Sequence, residues 1–194
     1  MFHLFWKKAK FEKVSWEQFK QDCLNMLASN VSEDDLDKLL PQLRCAWENI
    51  ILPKRQTDGA AGYDFYLPFG ATISDKPITI PTGIRVRMPK NQFLMLVPRS
   101  GLGCKYGMRF ENTVGIVDSD YYEAQNEGHI MAKVSASTML TLNCGERFMQ
   151  GVILERKTAV ERKEKRKART GGFGSTGLGG ETCHTTTSNI TSVQ

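Results

Sequence analysis

The chain has 194 residues, of which 40% are hydrophobic and 24% are charged, and it carries a formal net charge of +5. This composition is close to the globular average, so it excludes wholesale disorder, and the length fits one domain with additional segments. The longest apolar run is far below the ~20 residues of a membrane span, and the start MFHLFWKKAK lacks the apolar core of a secretory signal. We therefore expect a cytoplasmic protein without membrane contact.

The N-terminal residues 1–49 favour two helices. Ser15 precedes apolar residues at helical spacing, and Ser32 precedes three acidic residues that suit a helix N-terminus. Pro41 interrupts the second apolar stripe, so we expect a break or a restart there. We expect this N-terminal helical extension to pack against the domain; a partner-binding helical arm is the alternative. The apolar face of the first helix comprises Trp16, Phe19, Cys23, Met26 and Leu27.

A β-rich core is predicted over residues 50–156. Short apolar runs alternate with Gly and Pro turns at roughly ten-residue spacing, which is typical of a β-sandwich, jelly roll or barrel. The candidate strands lie at 78–80, 84–86, 93–97, 114–117, 130–134, 139–142 and 148–154, the last interrupted by Gly151.

Residues 157–194 are predicted to form a basic linker and a C-terminal arm. Eight basic and three acidic residues fall within 155–169, which accounts for the whole net charge. Such a run is typical of a linker or of a site for a compact polyanion such as a triphosphate. A nucleic-acid patch is the alternative, although no aromatic side chains are interleaved for base stacking. The Gly-rich and then Ser/Thr-rich tail cannot build a core, so we expect it to move unless a ligand orders it.

Five cysteines and three histidines are spread along the chain without a C-x-x-C pair. A disulfide framework or a structural zinc site needs paired or closely spaced ligands. We therefore expect reduced thiols and no metal cage made of these residues.

Four segments carry residues suited to chemistry. They are PRSGLG at 98–103, GIVDSDY at 115–121, GERFMQ at 145–150 and GGFGSTG at 171–177. The first combines a guanidinium with flexible backbone, which suits phosphate oxygens, but it also fits a surface turn. The last is not a Walker loop, because Leu178 stands where that motif requires Lys.

The segments at 115–121 and 145–150 leave two interpretations open. If the strand continues, Asp118 and Asp120 point to one face, and one carboxylate could act as a general base for a water; an Asx turn is the alternative. Glu146 and Arg147 could form an ion pair at the rim, while Gln150 could present its amide to a ligand.

Taken in order, and preceded by Ala61-Gly62-Tyr63-Asp64-Phe65, these segments resemble the five motifs of the homotrimeric dUTP diphosphatase family, bacterial or phage type. The resemblance covers about residues 50–177. It implies a mainly β, jelly-roll-like β-clip subunit, with three subunits sharing each active site. One subunit would give motifs one, two and four, a neighbour motif three, and the third its C-terminal arm. The implied reaction is Mg²⁺-assisted water attack on the α-phosphate of dUTP, which yields dUMP and pyrophosphate and keeps uracil out of DNA.

The resemblance also implies site residues. Asp118 would activate the attacking water, and Arg99, Ser100 and Gln150 would complete the catalytic set. Asp64 would lie near the water shell of a Mg²⁺ ion held mainly by the triphosphate, or would hold the site together. The implied substrate-binding residues are Asn112, Gly115 and Ile116 for uracil, Tyr121 under the deoxyribose, and Gly101, Arg169, Phe173, Gly174, Ser175 and Thr176 for the remaining contacts.

The chain departs from the family pattern in three places, one of which is that the N-terminal helices and the tail after Gly177 lie outside the family core. Ala168 occupies the position where the fifth motif often has Arg, so Arg169, Lys167 or Arg166 would serve the γ-phosphate. Tyr122 to Glu127 lengthens the hairpin of motif three, and its polar residues predict a solvated loop.

Three other functions remain as alternatives. One is a dUTP-sensing module whose N-terminal helices bind a protein partner. Another is a dCTP deaminase, although the strand at 130–136 has no carboxylate that could serve that reaction. The third is a nucleic-acid binder that uses the basic run.

Overall fold

The computed structural model of the chain describes residues 6–27 and 33–159. The helices are α1 (Trp16–Leu27), α2 (Glu33–Glu48), α3 (Ser100–Tyr106) and a 3-10 helix over Ser119–Glu123. The strands are β1 (Lys10–Lys13), β2 (Gly62–Tyr66), β3 (Ala71–Ile73), β4 (Ile78–Pro81), β5 (Ile84–Arg87), β6 (Gln92–Pro98), β7 (Arg109–Phe110), β8 (Gly115–Asp118), β9 (Met131–Ser135), β10 (Leu140–Leu142) and β11 (Arg147–Glu155). No helix within these ranges is long and apolar enough to cross a membrane.

The strands pair antiparallel, and the described part of the chain is mainly β, as predicted. The largest sheet has the order β2-β11-β6-β8, a second has the order β4-β9-β7, and two further pairs are β1-β5 and β3-β10. The strands predicted between residues 78 and 154 are confirmed. Strands β1, β2, β3 and β7 and helix α3 were not predicted, because short elements carry little periodic signal.

Helix α1 packs into the same core as the strands. It begins where predicted, since the Ser15 hydroxyl accepts a hydrogen bond from the Gln18 N–H at 3.1 Å, the usual arrangement at a helix N-terminus. Phe19 and Cys23 are fully buried against the β core, and burial raises the pKa of the Cys23 thiol to about 12. The N-terminal segment therefore contributes to the core of the domain.

Helix α2 shows neither the break nor the restart that was expected at Pro41. The helix runs unbroken from Glu33 to Glu48 with Pro41 inside it. Proline removes one hydrogen bond from a helix, but Pro41 is exposed, so the carbonyl that loses its partner can face water. The end of α2 is held by Lys13, whose ammonium group donates to the carbonyls of Trp47 and Glu48 at 3.0 and 2.7 Å.

Gly151 does not interrupt β11, contrary to the sequence prediction. It pairs with Tyr63 on β2 and with Leu96 on β6. A Cβ atom at this position would lie 2.8 Å from Leu94 Cδ1 and 2.9 Å from Phe65 Cε2. Gly151 therefore allows close packing inside a continuous strand.

Substitution of Gly151 tests this packing. We expect Gly151→Ala to lower the free energy of unfolding by about 1–3 kcal/mol, because the added methyl group overpacks the core. The measurement is chemical denaturation followed by circular dichroism. Gly59→Ala is the control, since a Cβ atom there meets nothing within 4 Å. Equal stabilities of the two variants would contradict the packing account.

Candidate active site

A buried carboxylate joins three of the sequence motifs. Asp64 on β2 is only 2% exposed. Its Oδ2 accepts a hydrogen bond from Arg147 Nη1 at 3.0 Å, and its Oδ1 accepts one from Gln150 Nε2 at 2.9 Å. Arg99 Nε lies 3.6 Å from Oδ1. We call these four residues the Asp64 network.

Strand pairing explains why these residues meet. Gln150 on β11 lies opposite Asp64 on β2 and opposite Val97 on β6, so the three strands are adjacent. Arg147 and Gln150 are three positions apart and would point to opposite faces of a regular strand. The pairing with β2 shifts register between Arg147 and Met149, and this irregularity lets both side chains reach Asp64.

The network leaves an excess of positive charge at this end of the sheet. A buried carboxylate is costly unless it is paired, and here two guanidinium groups and one amide satisfy it. Arg99 also donates from Nη1 to the Arg147 carbonyl at 3.4 Å. Because both guanidinium groups are about one-third exposed, the network keeps positive charge at the surface, where an anion can approach.

Sequence reasoning did not place Arg147 among the site residues and left open a rim ion pair between Arg147 and Glu146. The Glu146 carboxylate instead accepts a hydrogen bond from the Asn143 N–H at 2.5 Å, while Arg147 pairs with Asp64. The residue alternation gave no signal for this, because the register shift in β11 is not visible in the sequence.

Ser100 and Gly101 lie beside the Asp64 network in the chain. Both are exposed at the start of α3, directly after Arg99. The backbone of Arg99 is extended and precedes the first helical residue. This end of β6 therefore presents a hydroxyl group and a guanidinium group on adjacent residues.

The second group of predicted site residues lies along β8 and its flanks. Asn112 is exposed in the turn before the strand, Gly115 packs on Leu96, and Ile116 is 52% exposed. Asp118 ends the strand, and Tyr121 follows in the 3-10 helix. The expectation that Asp118 and Asp120 share one face of a strand is wrong, because the chain turns into the 3-10 helix at Ser119.

Within one chain, Asp118 lies beside the start of β6, whereas Arg99 follows the end of β6. The register places Asp118 opposite Phe93, near the start of β6, whereas Arg99 follows Pro98 at its end. The five residue steps from Phe93 to Pro98 correspond to about 17 Å along the strand. The structure therefore brings together motifs one, two and four but separates Asp118 from them.

Tyr121, a member of this second group, is buried. Its hydroxyl donates to the carbonyl oxygen of His129 at 3.0 Å and accepts a hydrogen bond from Asn126 Nδ2 at 2.7 Å. The expected solvated loop at Tyr122 to Glu127 is wrong, since Ala124 is buried and Tyr122, Asn126 and Glu127 make side-chain hydrogen bonds.

The predicted arm residues lie outside the part of the chain that the structure describes. They are Arg166, Lys167, Arg169, Phe173, Gly174, Ser175 and Thr176. Among residues 6–27 and 33–159, no group of three or more His, Cys, Asp or Glu side chains could hold a metal ion. Both oxygens of Asp64 accept hydrogen bonds from protein side chains, which favours a role in holding the site together.

Comparison with known proteins identifies the family. The dUTPase family model matches residues 48–177. A deoxyuridine 5'-triphosphate nucleotidohydrolase of Dinoroseobacter shibae is 36% identical over 155 residues, covering 73% of this chain and 98% of that protein. The chain therefore belongs to the dUTPase family.

Solved structures support the fold. The dUTPase from Streptococcus mutans is 36% identical with a TM-score of 0.52, covering 57% of this chain and 89% of that one. A variant dUTPase from phage phi11 of Staphylococcus aureus, described with a structural Mg(II) ion, is 18% identical with a TM-score of 0.51, covering 61% and 92%. The predicted family and its β-clip, jelly-roll-like fold are confirmed.

Removal of the Asp64 charge tests the network. We expect Asp64→Asn to lower the free energy of unfolding by about 1–3 kcal/mol, because the amide nitrogen turns a donor toward a donor of Arg147 or Gln150. Urea unfolding provides the measurement. Asp75→Asn makes the same change at an exposed site and should stay within about 0.5 kcal/mol of wild type. A stability of Asp64→Asn equal to that of the control would contradict the account.

Proposed function

We propose that the protein hydrolyses dUTP to dUMP and pyrophosphate. The observation that carries the proposal is the Asp64 network, which joins motifs one, two and four of a dUTPase-family chain at one end of the sheet. Hydrolysis of a triphosphate needs positioning and charge neutralisation more than a covalent nucleophile. Arg99 and Ser100 are suited to the phosphate oxygens, because a guanidinium and a hydroxyl are good donors to them.

The hairpin residues have complementary roles in this proposal. Asn112, Gly115 and Ile116 would bind the uracil edge, and the ring of Tyr121 would pack under the deoxyribose, where a 2′-hydroxyl clashes. Asp118 would accept a proton from the attacking water as general base. Gln150, fixed by Asp64, would contact phosphate or that water.

We further propose that each site forms between chains of a homotrimer. The separation of about 17 Å along β6 supports this arrangement, because Asp118 of one chain would need to meet the Asp64 network of another. The C-terminal arm would contribute phosphate contacts from Arg169, Ser175 and Thr176, next to those of Gly101. It would also place Phe173 and Gly174 over the uracil. In this arrangement Arg99, in the chain that supplies the Asp64 network, faces the phosphates and not Asp118 of the same chain.

A magnesium ion would enter this site bound mainly to the phosphates of the substrate. The described residues offer no cluster of protein ligands, and a triphosphate supplies the oxygen ligands that this hard cation prefers. When bound, the ion neutralises phosphate charge. The protein's own donors, Arg99 and Ser100, would orient the same phosphates.

The test is pyrophosphate release from dUTP, dCTP, dTTP and UTP in the presence of Mg²⁺. We expect release from dUTP, and we expect Asp118→Asn to lower kcat by at least ~100-fold, a typical loss for a general base. Asp75→Asn is the matched control and should retain wild-type activity, because it makes the same change at an exposed site away from β8.

Two results would contradict the proposal. Absence of pyrophosphate release from dUTP would exclude the hydrolase, even if the nucleotide binds tightly. Ammonia release from dCTP would show a deaminase and would require a different catalytic group.

A further inference from the structure

The N-terminal segment holds the residues that follow Asp118. We call Tyr121 to His129 the hairpin base. The Tyr122 hydroxyl donates to Glu12 Oε2 at 2.7 Å. The N–H and hydroxyl groups of Ser15 donate to the Glu127 carboxylate at 2.8 and 2.6 Å. Strand β1 and the start of helix α1 therefore both form hydrogen bonds to the hairpin base.

A second series of hydrogen bonds connects helix α1 to Tyr121. Asp22 Oδ2 lies 2.5 Å from His129 Nδ1. Nε2 of this fully buried ring accepts a hydrogen bond from the Gly83 N–H at 2.8 Å, so Nδ1 carries the proton and donates it to Asp22. The carbonyl of His129 accepts the hydrogen bond from the Tyr121 hydroxyl. The imidazole is thus fixed on both sides, and the backbone carbonyl of His129 holds the Tyr121 hydroxyl.

The Asp22 carboxylate is itself well held. Gln18 Nε2 donates to Oδ2 at 2.9 Å. Burial by itself would raise the pKa of Asp22, but the hydrogen bonds from His129 and Gln18 outweigh it and leave the pKa below its ordinary value. At neutral pH the carboxylate is therefore charged and accepts hydrogen bonds.

Arg85 on β5 adds a charge contact to the hairpin base. Its guanidinium lies 3.7 Å from the centre of the Tyr122 ring, donates to the Tyr122 carbonyl at 2.9 Å and pairs with Glu127 at 3.6 Å. Glu127 therefore lies between Arg85 and the start of α1. This explains why a polar sequence, YEAQNE, forms a fixed element of the fold.

We propose that Lys10–Leu27 is a positioning element of the nucleotide site, with Asp22 setting the place of Tyr121 through His129. This inference rests on the proposed function, in which the Tyr121 ring packs under the deoxyribose. The segment lies outside residues 48–177, the range that the dUTPase family model matches. Asp22 bonds to the His129 ring, and the His129 carbonyl bonds to the Tyr121 hydroxyl, so Asp22 acts on Tyr121 through His129 and is a positioning residue.

Sugar selectivity is the property that this element would control. A 2′-hydroxyl is excluded only if the ring stands close to the sugar, and small displacements of a positioning group have large kinetic effects. General loss of stability lowers the amount of active enzyme for every substrate equally. The ratio of kcat/KM for dUTP to that for UTP therefore separates positioning from folding.

The experiment compares Asp22→Ala with Asp22→Asn in the full-length chain. We expect Asp22→Ala to lower the dUTP-to-UTP ratio by about 10-fold, chiefly through a higher KM for dUTP. Asp22→Asn keeps an oxygen that accepts from His129 Nδ1, so it should retain most of the ratio. Glu17→Gln is the control for loss of an exposed charge on the same helix, and Ile73→Val on β3 is the control for loss of core stability.

An unchanged ratio in Asp22→Ala, or an equal fall in Ile73→Val, would overturn the inference. If Asp22→Ala does not fold, Tyr121→Phe removes only the hydroxyl that bonds to His129. It should lower the same ratio, and no change would also overturn the inference.

Amide hydrogen exchange provides a readout that needs no activity. In Asp22→Ala we expect about 10-fold faster exchange at the amides of Ala124, Glu127 and His129, which bond within the hairpin base. Exchange in β6 and β11 should stay as in wild type. Unchanged exchange, or a uniform rise over all strands, would overturn the inference. Absence of dUTP hydrolysis in wild type would refute the proposed function, while the exchange result would still decide whether Asp22 holds the hairpin base.

Discussion

A buried negative charge at Asp64 determines how one end of the largest sheet is arranged. A carboxylate that is 2% exposed costs several kcal/mol unless donors surround it, so β2, β6 and β11 must align to bring Arg99, Arg147 and Gln150 to it. The register shift in β11 is the local adjustment that makes this possible. The same donors leave two guanidinium groups at the surface, so one constraint produces both the packing and the candidate phosphate site.

The position of β8 divides the candidate site into two halves. Antiparallel pairing with β6 carries Asp118 to the strand end opposite Arg99. The half that carries Asp118 is supported by different contacts, from Asp22, Ser15 and Glu12 to the hairpin base. Each half is therefore held by its own polar network, and in the proposed trimer the two would meet only across a subunit boundary.

Periodicity and turn residues predicted the β class, the Ser15 helix start and the strands between residues 78 and 154 except β7. The five ordered motifs predicted the family. None of these signals could predict contacts between distant segments. Glu127 and Tyr122 read as solvated because their partners, Ser15 and Glu12, lie more than 100 residues away. A pairing of Arg147 with its sequence neighbour Glu146 stayed open because the irregularity in β11 has no local signature. Gly151 was predicted to interrupt the strand because its packing partners lie on other strands.

The most direct test of the divided site is to mix two inactive variants. Asp118→Asn impairs one half and Arg99→Ala impairs the other, so each homotrimer should lack dUTP hydrolysis. Mixed trimers, formed by unfolding and refolding an equal mixture, should contain some sites with both halves intact. With random assembly the account predicts recovery of about a quarter of the wild-type rate, since each half has an even chance of being intact. A mixture no more active than the sum of its two components would contradict a site formed between chains.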